Sequence, residues 1–109
     1  MEIIEFKKNE TFILGLRGRL DALSAPTVRE KLLGLIDQGE KNILLDCSAL
    51  DYVSSAGLRV LFEAAFKLED LHGRIACCSI NGDVKKIFEM VELPAEIPVF
   101  ATQAAYFIP

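Results

Sequence analysis

Asn42-Ile43-Leu44-Leu45-Asp46-Cys47-Ser48-Ala49-Leu50-Asp51-Tyr52-Val53-Ser54-Ser55-Ala56-Gly57-Leu58 is the stretch on which the reading of this chain turns. Ile43-Leu44-Leu45 is a continuous apolar run bounded by Asn42 and Asp46, the pattern of a short strand buried on both faces in a sheet with helical cover. It predicts the central strand. From Leu58 the period changes: Leu58, Leu61, Phe62, Ala65 and Leu68 recur at helical spacing, with Arg59, Glu63, Lys67 and Asp70 on the opposite side. Arg59, Glu63 and Lys67 alternate in sign four residues apart, a ladder contributing roughly 0.2–0.5 kcal/mol per pair on a solvated face. Residues 46–57 read as the polar connection between strand and helix.

Upstream, residues 2–6 and 11–17 are short β-favouring runs separated by Lys7-Lys8-Asn9-Glu10, and they predict an opening β-hairpin. Phe12, Leu14 and Leu16 fall on one face of its second strand and Ile13 on the other. After Gly18-Arg19-Leu20-Asp21, Ser24 is placed to cap a helix. Pro26 is tolerated in the first turn, where its missing N–H has no intrahelical partner. Val28, Leu32, Leu35 and Ile36 make one apolar stripe of a helix running to about Gln38, and Gly39 is suited to end it in a left-handed conformation.

Downstream, Gly73 breaks the chain before a strand over residues 74–80, and Asn81-Gly82-Asp83 supplies the cap of a third helix whose buried stripe is Val84, Ile87, Phe88 and Val91. Leu93-Pro94 ends it. Residues 97–100 predict a last short strand or edge segment and 102–106 a final helical turn. The apolar tail of Phe100, Tyr106, Phe107 and Ile108 is expected to pack back on the core or to meet a partner. The order β-β-α-β-α-β-α-β predicts an α/β fold in which a hairpin mixes the strand directions and helices cross over, a single layered domain over 1–109.

With 109 residues, one core is expected. Hydrophobic residues make up 51% and charged residues 26%, a globular balance. The net charge of −4 is scattered rather than gathered into blocks, so no nucleic-acid partner is expected. The start Met1-Glu2-Ile3-Ile4-Glu5-Phe6-Lys7 lacks the basic and apolar parts of a signal peptide and no window suggests a spanning helix, so a cytoplasmic protein without direct membrane insertion is expected. Cys47, Cys77 and Cys78 have no metal-ligand spacing and read as reduced cysteines; on a strand Cys77 and Cys78 point to opposite faces, one in the core, the other covered or exposed. One histidine, His72, at a helix end beside exposed carbonyls, and no nucleophile–base pair or phosphate-binding glycine loop point away from an enzyme, a cofactor or a metal site. Asp46 and Asp51 have nothing that assigns them acid and base roles.

Ser54 and Ser55 carry the chemistry that remains. Either can be an ordinary N-cap, a role contributing about 1 kcal/mol. No Glu or Gln stands three residues on, however, so no capping box is completed. Gly57 costs roughly 1 kcal/mol in a first turn relative to alanine, which fits a close approach by another backbone or a partner. A helix-starting serine also suits phosphorylation, because free N–H groups and the helix dipole favour added negative charge.

Along nearly its whole length the chain resembles the STAS domain of bacterial anti-sigma factor antagonists. Gly18-Arg19-Leu20-Asp21 with Ser24-Ala25 is similar to that family's first motif, and Asp46-Cys47-Ser48 with Val53-Ser54-Ser55-Ala56-Gly57-Leu58 to its second. The resemblance implies a STAS-like fold and, anchored on Gly57, a phosphoserine at Ser55. Asp21, Ser24, Ser54, Ser55, Ala56, Gly57 and Arg59 are its implied partner-binding residues. The implied switch is one in which the unphosphorylated chain binds an anti-sigma factor that is also an ATP-dependent serine kinase, releases sigma factor, and is reset by a serine phosphatase. Ser54 stands where the family usually has aspartate, leaving it as a second acceptor candidate, and Ala56 stands where a second hydroxyl is usual. Ser-Ala-Gly is also similar to STAS accessory subunits of lipid-transporting ABC systems, the alternative reading.

Overall fold

The computed structural model describes residues 1–91, 93 and 96–108. The chain runs β1 (Glu2–Lys8), β2 (Thr11–Leu20), α1 (Ala25–Asp37), β3 (Asn42–Val53), α2 (Ser55–Asp70), β4 (Arg74–Cys78), α3 (Gly82–Val91), β5 (Val99–Phe100) and α4 (Gln103–Phe107). The strands form a five-stranded sheet in the order β1-β2-β3-β4-β5, with β3 in the middle as expected. β1 and β2 pair antiparallel, and every later neighbour pairs parallel.

The opening turn is tighter than the sequence suggests. Lys7 and Lys8 belong to β1, and Asn9 and Glu10 alone turn the chain at φ of +50° and +68°, the twist that a two-residue hairpin requires. β2 also runs on to Leu20, past Gly18 at φ +103°.

The larger difference lies in β3. Ile43, Leu44 and Leu45 are fully buried, but the strand continues for twelve residues, so 46–53 is sheet rather than connection. Its register against β2 slips twice, since Gly15 faces Asp46 while Arg17 faces Ala49, and Gly18 faces Leu50 while Arg19 faces Tyr52. Each slip adds a residue to β3, a bulge that twists and bends the strand. Cys47, Leu50 and Val53 consequently all enter the same core at a spacing of three instead of two. The Asp46 carboxylate accepts the Ser48 N–H at 3.0 Å beside the first bulge.

α1, α2 and α3 lie on one face of the sheet over a core that includes Leu14, Leu16, Leu32, Leu45, Leu61, Leu68 and Phe88. A fully buried side chain of this kind contributes about 1.5–3 kcal/mol relative to exposure. On the other face Ile13, Leu44, Ala76 and Cys78 are covered by Tyr106 of α4, with Phe100 and Phe107 packed alongside. The tail therefore packs back on the core, except that Ile108 is exposed. Cys77 and Cys78 do face opposite sides, and both are buried because both sides are covered. Burial also pushes the Cys78 thiol up to about 11.

Gly39, at φ +94°, ends α1: its N–H bonds Ile36 O and the Glu40 N–H bonds Leu35 O, the paired closure of a helix finished by a left-handed residue. Asn81 caps α3 through Val84 N at 2.9 Å and reaches Leu50 O at 2.8 Å, tying that helix to β3. β4 stops at Cys78, short of the expected Ile80, and Val91 is exposed rather than part of the α3 stripe. Pro94, expected to help end α3, lies outside the described residues. The Arg59–Glu63–Lys67 ladder does not close into ion pairs, although the Lys67 charge still helps to lower the Glu63 carboxyl. Glu63 instead accepts from two guanidinium nitrogens of Arg29 on α1, Nε at 2.7 Å and Nη2 at 2.9 Å, and this pair is the main reason the Glu63 carboxyl lies below its usual range. At the far end of α2, His72 sits at φ +60° and its backbone N–H closes on Glu69 O, so its main chain rather than its ring meets the helix carbonyls.

Candidate functional site

β2 and β3 are parallel, so the loops leaving Leu20 and Val53 emerge at the same end of the sheet, the carboxyl ends where open α/β sheets commonly place their sites. Leu20 joins the two loops. Its carbonyl accepts the Ser54 N–H at 2.8 Å. A Cβ at Gly57 would lie 2.6 Å from the Leu20 side chain and 2.9 Å from its carbonyl oxygen. Gly57 is thus glycine because the end of β2 crosses the first turn of α2, and this close approach is internal to the chain.

The serines divide the work at that turn. Ser54, in extended conformation, is the N-cap, and its hydroxyl accepts the Gly57 N–H at 3.2 Å. Ser55 is the first residue of α2, exposed, and among the described residues its hydroxyl has no hydrogen-bond partner. Ala56 is half-buried and Arg59, one turn on, is exposed. Arg59 enters no ion pair among the described residues.

The neighbouring loop is built differently from its expected capping role. Ser24 occupies the N-cap position of α1 but makes no side-chain cap bond. Its hydroxyl donates to Arg19 O at 2.7 Å and accepts the Asp21 N–H at 3.0 Å, because its helical backbone angles aim the side chain back across the loop. The Asp21 carboxylate accepts the N–H groups of Leu23 and Ser24, both at 3.1 Å. The Ser24 N–H is the main reason the Asp21 carboxyl lies below its usual range, with Arg19 at 3.8 Å adding to it. Asp21 and Ser24 are therefore fasteners of a hydrogen-bonded turn at the same end of the sheet as Ser55.

That turn presents a residue to which the sequence drew no attention. Leu23 is 92% exposed although its backbone is fixed by Asp21. A lone leucine in a loop has no periodicity, so only its exposure in the fold singles it out. From the neighbouring Ala22 an open groove of about 620 Å³, which Leu23 itself does not line, runs between α1 and α2 past Pro26, Arg29, Leu33, Ala56 and Val60. All the predicted site residues thus gather at one end of the sheet, with Gly57 serving the fold from beneath. Among the described residues no group of three or more His, Cys, Asp or Glu side chains is placed to hold a metal. No helix among them is long and apolar enough to cross a membrane.

Fold and site together define a small α/β domain whose exposed chemistry is a helix-starting serine at the same end of the sheet as the fastened Asp21–Ser24 turn. The STAS domain family model matches residues 4–105, and the chain belongs to that family. It is 30% identical over 105 residues to BtrV of Bordetella bronchiseptica, whose name assigns it as an anti-sigma factor antagonist; the match covers 96% of this chain and 90% of that protein. It is 35% identical over 71 residues to the anti-sigma-B factor antagonist of Bacillus subtilis, covering 64% of this chain and 63% of that one. The fold is shared with the Bacillus cell fate determinant SpoIIAA in its phosphorylated form, with a TM-score of 0.73, 23% identity and 94% of each chain covered.

Proposed function

We propose that this chain is an anti-sigma factor antagonist whose binding is switched by phosphorylation of Ser55. Anti-sigma factor antagonism is the function named in its relatives. The observation that carries the switch is the division of labour between the two serines: Ser54 is occupied as the cap, while the Ser55 hydroxyl is exposed and unengaged. Ser55 is the acceptor and Ser54 is not. The unphosphorylated chain docks an anti-sigma factor against the Ser55 end of α2 and the fastened turn, with Leu23 as an apolar anchor, and so releases sigma factor. The partner supplies the kinase activity and binds the ATP. Transfer of the γ-phosphoryl group to the Ser55 oxygen leaves ADP and releases the hydroxyl proton.

A charge of about −1.5 to −2 then sits where the partner docks, adding repulsion and desolvation cost without a change of fold. A serine phosphatase restores the hydroxyl. On this reading the chain works in the cytoplasm as a binding protein and not as a catalyst.

The test is incubation with a candidate anti-sigma kinase and ATP, followed by mass spectrometry and a binding measurement. Addition of one phosphate at Ser55, absent in Ser55→Ala, with loss of the complex is the expected result. Unchanged binding of the phosphorylated chain, or modification at Ser54 instead, overturns it.

A further inference from the structure

We infer that Arg59 is the internal counter-charge of the switch, pairing within α2 with the phosphate on Ser55. The inference rests on Ser55 being an acceptor, as proposed above. Ser55 and Arg59 stand four apart on α2 and are both exposed, so they are neighbours on one helix face. Helical side chains lean toward the N-terminus, which carries the guanidinium from position 59 back over the turn that holds Ser55. The acid that would otherwise claim Arg59 is Glu63, four residues further along. That carboxylate is held away by Arg29 of α1 through two bonds of 2.7 and 2.9 Å. The helix thus leaves its first cation without its expected anion, one turn from the serine hydroxyl.

A guanidinium suits this role better than an ammonium because its planar fork matches two phosphate oxygens at once. Before modification this end of α2 shows a net charge of +1 at Arg59. After it, the sum is roughly −0.5 to −1. A partner carboxylate that met Arg59 would lose its cation and face an excess of negative charge, so one modification both removes an attraction and adds a repulsion.

The experiment uses the full chain with phosphoserine installed at position 55 during translation, so no kinase is needed. The second ionisation of the phosphate is followed by phosphorus NMR at low salt in the parent and in Arg59→Gln, with circular dichroism confirming that both are folded. The parent is expected to titrate lower by about 0.3 pH unit, the size of a helical i,i+4 charge pair. The gap should shrink as salt is raised, and Arg59→Lys should restore only part of it. Identical titrations in the parent and Arg59→Gln would overturn the inference. Failure of the phosphorylation reading would show separately, as a kinase leaving Ser55 unmodified while the titration gap persists.

Discussion

At one end of the sheet two helices begin, each preceded by a serine, and the two starts are built in opposite ways. At α1 the Ser24 hydroxyl is turned back onto Arg19 O and Asp21 N, and the Asp21 carboxylate accepts the N–H groups of Leu23 and Ser24. At α2 the Ser54 side chain follows the usual capping geometry, accepting the Gly57 N–H, and the next serine is left outside. Two serines at the α2 start separate holding the helix from offering a hydroxyl, whereas the single serine at α1 is consumed by its own loop. Chemistry is therefore expected at α2 and rigidity at α1.

The strongest way to break this comparison is through the glycines of the two helices. Gly57→Ala forces a Cβ against Leu20, where the clash is partly with backbone, and should destabilise the fold by about 2 kcal/mol or more. Gly34→Ala, inside α1 with nothing within 4 Å of the added Cβ, should stabilise it by about 0.5–1 kcal/mol through helix propensity. Urea denaturation of both variants measures the contrast. A neutral Gly57→Ala would mean that the crossing of β2 over α2 yields easily and does not set the position of the Ser55 turn.

The serines give the next largest effect. Ser54→Ala removes the cap and should cost about 1 kcal/mol, while Ser55→Ala should leave stability within about 0.5 kcal/mol. In a phosphorylation assay the order reverses: Ser55→Ala loses the phosphate and Ser54→Ala retains the acceptor. Equal stability losses at the two positions would show that the Ser55 hydroxyl has a structural role and is not free.

The same contrast explains what was legible in the sequence. The apolar triplet Ile43-Leu44-Leu45 and the helical spacing of Leu58, Leu61, Ala65 and Leu68 follow local periodicity, and the fold places them as expected. The second half of β3 was hidden because its two bulges give Cys47, Leu50 and Val53 a spacing of three, which matches neither strand nor helix. Those bulges arise from the pairing with β2, so no local pattern announces them. At the site, Gly57 signalled a close approach, but only the fold identifies the approaching chain as Leu20 and not a partner. Ser24 read as a cap because serine before Ala-Pro usually is one, and the nearby Arg19 carbonyl and Asp21 outcompete the helix for its hydroxyl. Glu63 likewise found Arg29 across the α1–α2 interface, a pairing between residues 34 apart that no i,i+4 rule could show.

The smallest expected effect concerns charge at the α1 start. The Asp21 carboxyl is held below its usual range chiefly by the Ser24 N–H, against some desolvation, with the Leu23 N–H, the Ser24 hydroxyl and Arg19 assisting. Because the folded pKa is the lower one, this contribution is fully present above the unfolded carboxylate range and is lost as pH falls through the folded value. Asp21→Asn keeps an acceptor oxygen but removes the ionisation. Its stability should therefore decline less than that of the parent as pH is lowered from neutrality through about pH 4 and below, as read from urea midpoints at each pH. Glu63, lowered by Arg29, supplies an acid-sensitive contribution that both proteins share, so the difference between their curves isolates Asp21. Ser54→Ala should lie parallel to the parent across the same range, since a neutral hydroxyl holds α2. Parallel curves for Asp21→Asn as well would mean that the α1 turn is fastened by geometry alone, with no part played by its charge.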